Sequence, residues 1–204
     1  MDDLGVYEEP MSGIGQMKLS PAKRMAGVDF VDFMFWDTQN HPTGGQTQLV
    51  YFTTPYGGSK SKLKTNMAAA GYITNALEFH LKAIGVGNVT ATESATATAD
   101  LQLVTMSAYL ELIIQDKVWF QAVLCKVPFG GGLYADGGLA TAGKYVPQIG
   151  SPNRTAGYKL RHTIVIPKNV NFYVTLNWPT AVTPTAALDL IVTLEGSLAR
   201  TGNK

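Results

Sequence analysis

Cysteine is almost missing from this chain: Cys125 is the single one in 204 residues. No disulfide can close within the chain, so an oxidising compartment adds nothing to its fold. Charge is scarce too. Asp, Glu, Lys and Arg make up 15% of the sequence, against roughly 25% in ordinary soluble domains. The formal net charge is +1. That excludes a polyanion binder acting through its overall field, so any nucleic-acid contact has to be local. No run of about 18 apolar residues occurs, and no membrane-spanning helix is predicted. The opening MDDLGVYEEP lacks the basic and apolar regions of a signal peptide, so synthesis in a cytosol is expected. His41, His80 and His162 show no i,i+2 or i,i+4 pairing and no nearby cysteine, so neither a metal nor another cofactor is expected. Cys125 follows Ala122-Val123-Leu124, a strand-like run that predicts a buried, inert thiol.

What is present is apolar and β-prone. Apolar residues reach 46%. With so little charge to wet the surface, part of that surface is expected to be covered in an oligomer. A surface made polar by Gly, Thr and Asn is the other reading of the same numbers.

Residues 1–27 hold Pro10, Pro21, Gly5, Gly13, Gly15 and Gly27 with little apolar periodicity, which predicts an extended N-terminal arm. Met11, Ile14, Met17 and Leu19 are apolar residues that a solvated tail does not need. They make the arm a candidate strap onto a neighbouring molecule. From Phe30 the chain becomes aromatic, and strands are predicted at 30–36, 46–54 and 72–86. A short helix is expected over 99–106, then a hairpin of strands 109–114 and 118–127 around Gln115-Asp116-Lys117. Residues 128–143 contain six glycines and read as a long loop suited to contacts, with Phe129, Leu133 and Tyr134 as its candidate contact residues. Strands at 160–166, 171–178 and 187–198 close the domain. In the last, Leu188, Leu190, Val192 and Leu194 form one apolar face with period two. About eight strands joined by long, uneven loops suit a Greek-key sandwich better than a meander.

Catalytic motifs fail one requirement each. Gly138 to Lys144 matches the spacing of a phosphate-binding loop. However, Tyr145 stands where a magnesium-binding Ser or Thr is needed, and Pro147 bars the helix that should follow. No nucleophile-elbow motif is present. Glu78, Glu111 and Glu195 fall on different predicted strands. Two of them facing across a cleft would suit glycoside hydrolysis, whereas separate outward positions would be solvated. Lys60, Lys62 and Lys64 would lie on one side of an extended segment. They are the one local polyanion candidate, or else a soluble loop.

The segment Ile164-Val165-Ile166-Pro167-Lys168-Asn169-Val170-Asn171-Phe172-Tyr173-Val174-Thr175-Leu176-Asn177-Trp178-Pro179 resembles the paired late strands of jelly-roll coat proteins of tailless bacteriophages. An apolar strand ends in proline, an Asn-rich turn follows, and an aromatic strand returns. The likeness spans about residues 100–199. It implies an all-β jelly-roll or Greek-key sandwich over 28–199 with at most one or two short helices, an arm at 1–27 and a short tail at 200–204. It further implies a non-enzymatic capsid subunit of a virion, made in the host cytoplasm, whose partners are copies of itself, other virion proteins and, locally, packaged nucleic acid. The near-neutral charge departs from coats that neutralise their genome with a basic tail. The alternative expectation is a non-catalytic carbohydrate-binding sandwich, with Tyr56, Tyr134, Tyr145 and Tyr158 stacking on sugar rings.

Overall fold

Along β9 (Phe172–Val182) every second side chain from Phe172 to Trp178 is fully or almost fully buried. The same alternation runs through β4 (Tyr109–Ile114), where Leu110, Leu112 and Ile114 point inward. It recurs in β10 (Leu188–Thr201), where Leu188, Leu190, Val192 and Leu194 do so. Period two is the strand repeat, and one buried face per strand requires a second layer to cover it. The computed structural model, which describes residues 28–89, 100, 103–127, 133–134, 148–149 and 158–201, has that second layer.

Two four-stranded antiparallel sheets face each other. One runs in the order β1 (Val28–His41), β10, β3 (Glu78–Asn88), β8 (Tyr158–Pro167). The other runs β2 (Gln46–Tyr51), β9, β4, β5 (Lys117–Val123). The pairing is nested: β1 with β10, β2 with β9, β3 with β8, β4 with β5. It is the pattern of one long antiparallel ribbon, turned at β4–β5 and rolled so that successive pairs fall in alternate sheets. This is the jelly roll. A small ribbon of β6 (Leu133–Tyr134) and β7 (Gln148–Ile149) lies within the β5–β8 connection. No helix among the described residues is long and apolar enough to cross a membrane.

The turns follow from local chemistry. Gln115 and Asp116 both take positive φ between Ile114 and Lys117, the two-residue hairpin geometry that matches strand twist. Asn169 takes φ +59° in the turn after Pro167, a conformation that asparagine tolerates. The expected Asn-rich turn is therefore present.

Several elements differ from expectation. β1 continues through Thr38-Gln39-Asn40 to His41 rather than stopping at residue 36. Its polar end is satisfied by partners: Asn40 Nδ2 donates to Asp189 at 2.9 Å, and Gln39 Nε2 to the Val50 carbonyl at 2.7 Å. β3 begins at Glu78, not 72, because Gly71 turns the chain with φ +68° and donates its amide to Phe52 O. β5 stops at Val123, and residues Leu124–Lys126 form a 3₁₀ turn. Cys125 lies on that turn and is exposed, which corrects the expectation of a buried strand thiol. Only Leu124 of the turn points into the core. Residues 100 and 103–106 are helical, within the expected 99–106 helix.

Candidate functional site

The basic segment 60–64 does not present three parallel lysines. It folds against the outer edge of β1. Thr38 N–H donates to Lys64 O at 2.8 Å, and the Asn66 side chain brackets Trp36 and Met34. Lys60 turns inward and reaches Asp37, a fully buried carboxylate, with Nζ 2.6 Å from Oδ1. Lys62 sits 4.9 Å above the Tyr56 ring. Lys64 approaches Asp189 at 3.5 Å, with half of its side chain exposed. Only Lys62 and Lys64 therefore keep exposed ammonium groups, and each already has a neighbour. Lys60 is spent on the fold, because a carboxylate buried in the sandwich needs a counter-charge.

Met11, Ile14, Met17, Leu19 and Phe129 lie outside the described residues, as does the Gly138–Lys144 segment. Leu133 and Tyr134 pair through their backbones with Ile149 and Gln148. The tyrosines of the sugar-binding alternative are not brought together where they are described. Tyr56 sits beside the β1 edge, and Tyr158 is on β8 at the opposite flank, its ring 5.1 Å from Phe120.

The three strand glutamates do not share a cleft. Glu111 is on the outer face of the β2 sheet, inside a ladder that crosses all four of its strands. Gln48 Nε2 donates to Asn177 Oδ1 at 2.8 Å, Asn177 Nδ2 to Glu111 Oε2 at 3.3 Å, and Gln121 Nε2 to Glu111 Oε1 at 2.8 Å. Glu78 and Glu195 are on the opposite outer face. Glu78 accepts from His80 at 2.6 Å. Glu195 pairs in register with Ala83, five positions along β3, or about 16 Å away at the strand rise. That is beyond the separation of a glycosidase pair.

Glu195 borders an open depression of about 650 Å³ with Asp32, Phe33, Met34, Lys82, Ala83, Lys159, Leu160 and Gly196. Lys82 Nζ donates to Ser197 Oγ at 2.6 Å, and Ser197 reaches Asp32 at 3.5 Å. Two carboxylates and two ammonium groups around a shallow apolar floor offer no activated nucleophile and no set of like ligands. Among the described residues no group of three or more His, Cys, Asp or Glu could hold a metal ion.

Titration is perturbed inside the sandwich. Burial lowers the His41 imidazole pKa despite its hydrogen bond to Pro42 O, and the ring stands edge-on to Trp178 at 4.8 Å. Burial pushes the Tyr51 phenol up, helped by the Asp37 and Asp189 carboxylates. Its hydroxyl and His41 Nε2 are buried and have no hydrogen-bond partner among the described residues. Burial also pushes Asp100 up, but the Thr185 and Ala186 amides and the Thr185 hydroxyl outweigh it, so its carboxyl titrates below the usual range. Asp100 thereby ties the segment before β4 to the β9–β10 connection.

The flanks of the sandwich stand out instead. Among the described residues, each large apolar side chain that is both strand-borne and exposed lies in an edge strand. These are Phe30, Val31 and Met34 in β1, Val118, Trp119 and Val123 in β5, and Tyr158 and Val165 in β8. The inner strands β3, β4, β9 and β10 carry none. Trp119 is the extra residue of a bulge, since Leu112 pairs with Phe120 and Ile113 with Val118. Bulges re-aim side chains, and this one turns an indole to solvent. Sequence reading missed Trp119, Phe30 and Met34, because an apolar residue in a strand carries no mark of which strands are edges. A search of family models, curated proteins and solved structures finds no match to this chain.

Proposed function

We propose that this protein is a non-catalytic, self-assembling shell subunit, a capsid component of a virion, whose jelly-roll sandwich packs against copies of itself. The observation that carries the reading is the confinement of exposed strand-borne aromatic and aliphatic residues to the edges of a jelly roll. Phe30 meets His80 edge-on at 5.3 Å yet stays 56% exposed, and the Trp119 indole is 54% exposed, so a lone sandwich leaves much of both rings in water. A subunit whose neighbours cover those flanks does not. The low charge of the chain supports the same reading, since a surface that is covered needs little charge. The resemblance of residues 164–179 to phage coat proteins supplies the virion setting.

The test is size-exclusion chromatography with light scattering on the full chain, followed by negative-stain electron microscopy. Closed shells or large regular oligomers are the expected result. A clean monomer at high micromolar concentration refutes the reading. Removing residues 1–27 in the same assay tests the arm, and impaired assembly is expected if it straps neighbours.

A further inference from the structure

The two flanks differ in charge as well as position. β1 (VDFVDFMFWDTQNH) contains three aspartates and no lysine or arginine; Asp37 is buried against Lys60, so Asp29 and Asp32 are the charges its surface offers, at the end of the strand away from Lys62 and Lys64. β5 (KVWFQAV) and β8 (YKLRHTIVIP) contain Lys117, Lys159 and Arg161 and no acid. The 3₁₀ turn after β5 adds Lys126. Asp29 and Asp32 are exposed beside Phe30 and Val31, and Lys159 and Arg161 are exposed beside Tyr158. Arg200 stands across from Asp29 on β10, while Asp32 faces Ser197.

The backbone narrows the place further. Residues 60–66 already cover β1 from Met34 to Thr38. The part of β1 left as an edge among the described contacts is 28–33, the stretch that carries Asp29, Phe30, Val31 and Asp32. On the other flank, β5 and β8 lie side by side, joined through Phe120 and Tyr158. Both strands are bulged: β5 at Trp119, and β8 where Lys159 and Ile164 pair with Ala83 and Leu81. Bulged edges resist straight strand addition, so the contact they suit is one of side chains.

From this we infer a head-to-tail contact between two copies of the chain: residues 28–33 of one copy lie against the β5–β8 flank of the next. Asp29 and Asp32, which project from opposite faces of that edge, answer Lys159 and Arg161, and Phe30 and Val31, likewise on opposite faces, meet Trp119 and Tyr158. The inference rests on the assembly reading above and specifies its geometry. Such a contact uses two different patches of one molecule, so it repeats and closes only through the angle between successive copies, as a shell or ring requires. Opposite charge selects flank against flank and opposes like flanks meeting, while the aromatic residues supply the area.

A charge exchange tests it. Asp29→Lys/Asp32→Lys makes both flanks basic, and Lys159→Glu/Arg161→Glu makes both acidic. Each variant alone should remain monomeric at a concentration where the wild type is assembled, with circular dichroism showing the fold intact. Mixed one to one, they should co-assemble into oligomers in which the two variants alternate, because every basic flank then finds an acidic one. Variants that assemble alone like the wild type overturn the contact but leave the assembly reading standing. Loss of assembly in both with no rescue on mixing gives these flanks to another occupant, such as residues 1–27, and also overturns it. A wild type that never assembles overturns the assembly reading together with this inference.

Discussion

Asp37 and Lys60 form an ion pair with Oδ1 and Nζ 2.6 Å apart, the carboxylate fully buried and the lysine nearly so. The second oxygen of Asp37 accepts the Phe52 amide at 2.7 Å. Phe52 has φ +68°, in the left-handed region that a phenylalanine adopts at a cost. The pair thus fixes the loop after β2 to the middle of β1 and holds a strained residue in the core.

Removing one partner strands the other. Asp37→Leu or Lys60→Met alone should each destabilise by about 3–5 kcal/mol, the cost of an uncompensated buried charge. The double variant should recover part of that loss, though not the Phe52 hydrogen bond. Urea midpoints of the four proteins check this, and strict additivity would contradict it.

His41 should make stability pH-dependent below neutrality. Its folded pKa is depressed by burial, so as pH falls the unfolded chain takes up its proton first. Stability attributable to His41 is therefore full above about 6.5, the unfolded imidazole value, and declines as pH drops below it. His41→Phe keeps a ring against Trp178 and removes the titration. Its midpoint, followed from pH 8 to 5, should fall less than that of the wild type.

Tyr51 has the opposite sign. Its phenol is held neutral by burial and by nearby carboxylates, so stability is lost only as pH rises past about 10, where the unfolded chain ionises. Because the buried hydroxyl has no partner among the described residues, Tyr51→Phe should leave stability at pH 7 unchanged or raise it by about 1 kcal/mol. Thermal melts at pH 7 and 10.5 distinguish the two effects.

Gly196 has no room for a side chain. A Cβ there would run into the His80 carbonyl and lie 3.0 Å from the Phe79 ring. Gly196→Ala should cost about 1–3 kcal/mol through forced displacement of β3. Calorimetry reads it directly, and a neutral substitution would mean that the β3–β10 pair is looser than its register.

Cys125 is exposed on the turn after β5. A thiol reagent should label it in the native protein as quickly as in urea, and Cys125→Ser should shift the melting temperature by less than a degree or two, as surface changes do.

Much of the strand pattern was legible in the chain because burial on one face enforces period two. Leu188 to Leu194 and Phe172 to Trp178 read as inward faces from their spacing, and both are buried. Even the bulge in β3 left a trace. The large buried side chains run Phe79, Leu81, then Ile84, Val86, a change of parity across the unpaired Lys82 that reads in sequence as imperfect alternation. Missed features were those in which a distant partner overrode a local signal. Thr38 to His41 fell beyond the strand expected at 30–36, yet β10 offers a strand for them to pair with. Lys60 read as part of a solvent-facing cluster, yet Asp37 draws it inward.

By itself the sequence determined that this is an all-β sandwich low in charge, because periodicity and turn residues act within a few positions of the chain. Only the tertiary structure decided which strands are edges. That depends on the nested pairing of strands far apart in sequence, and no local pattern records it. The edge positions in turn put Asp29, Phe30 and Asp32 at the exposed end of β1 and Trp119, Tyr158, Lys159 and Arg161 on the flank of β5 and β8.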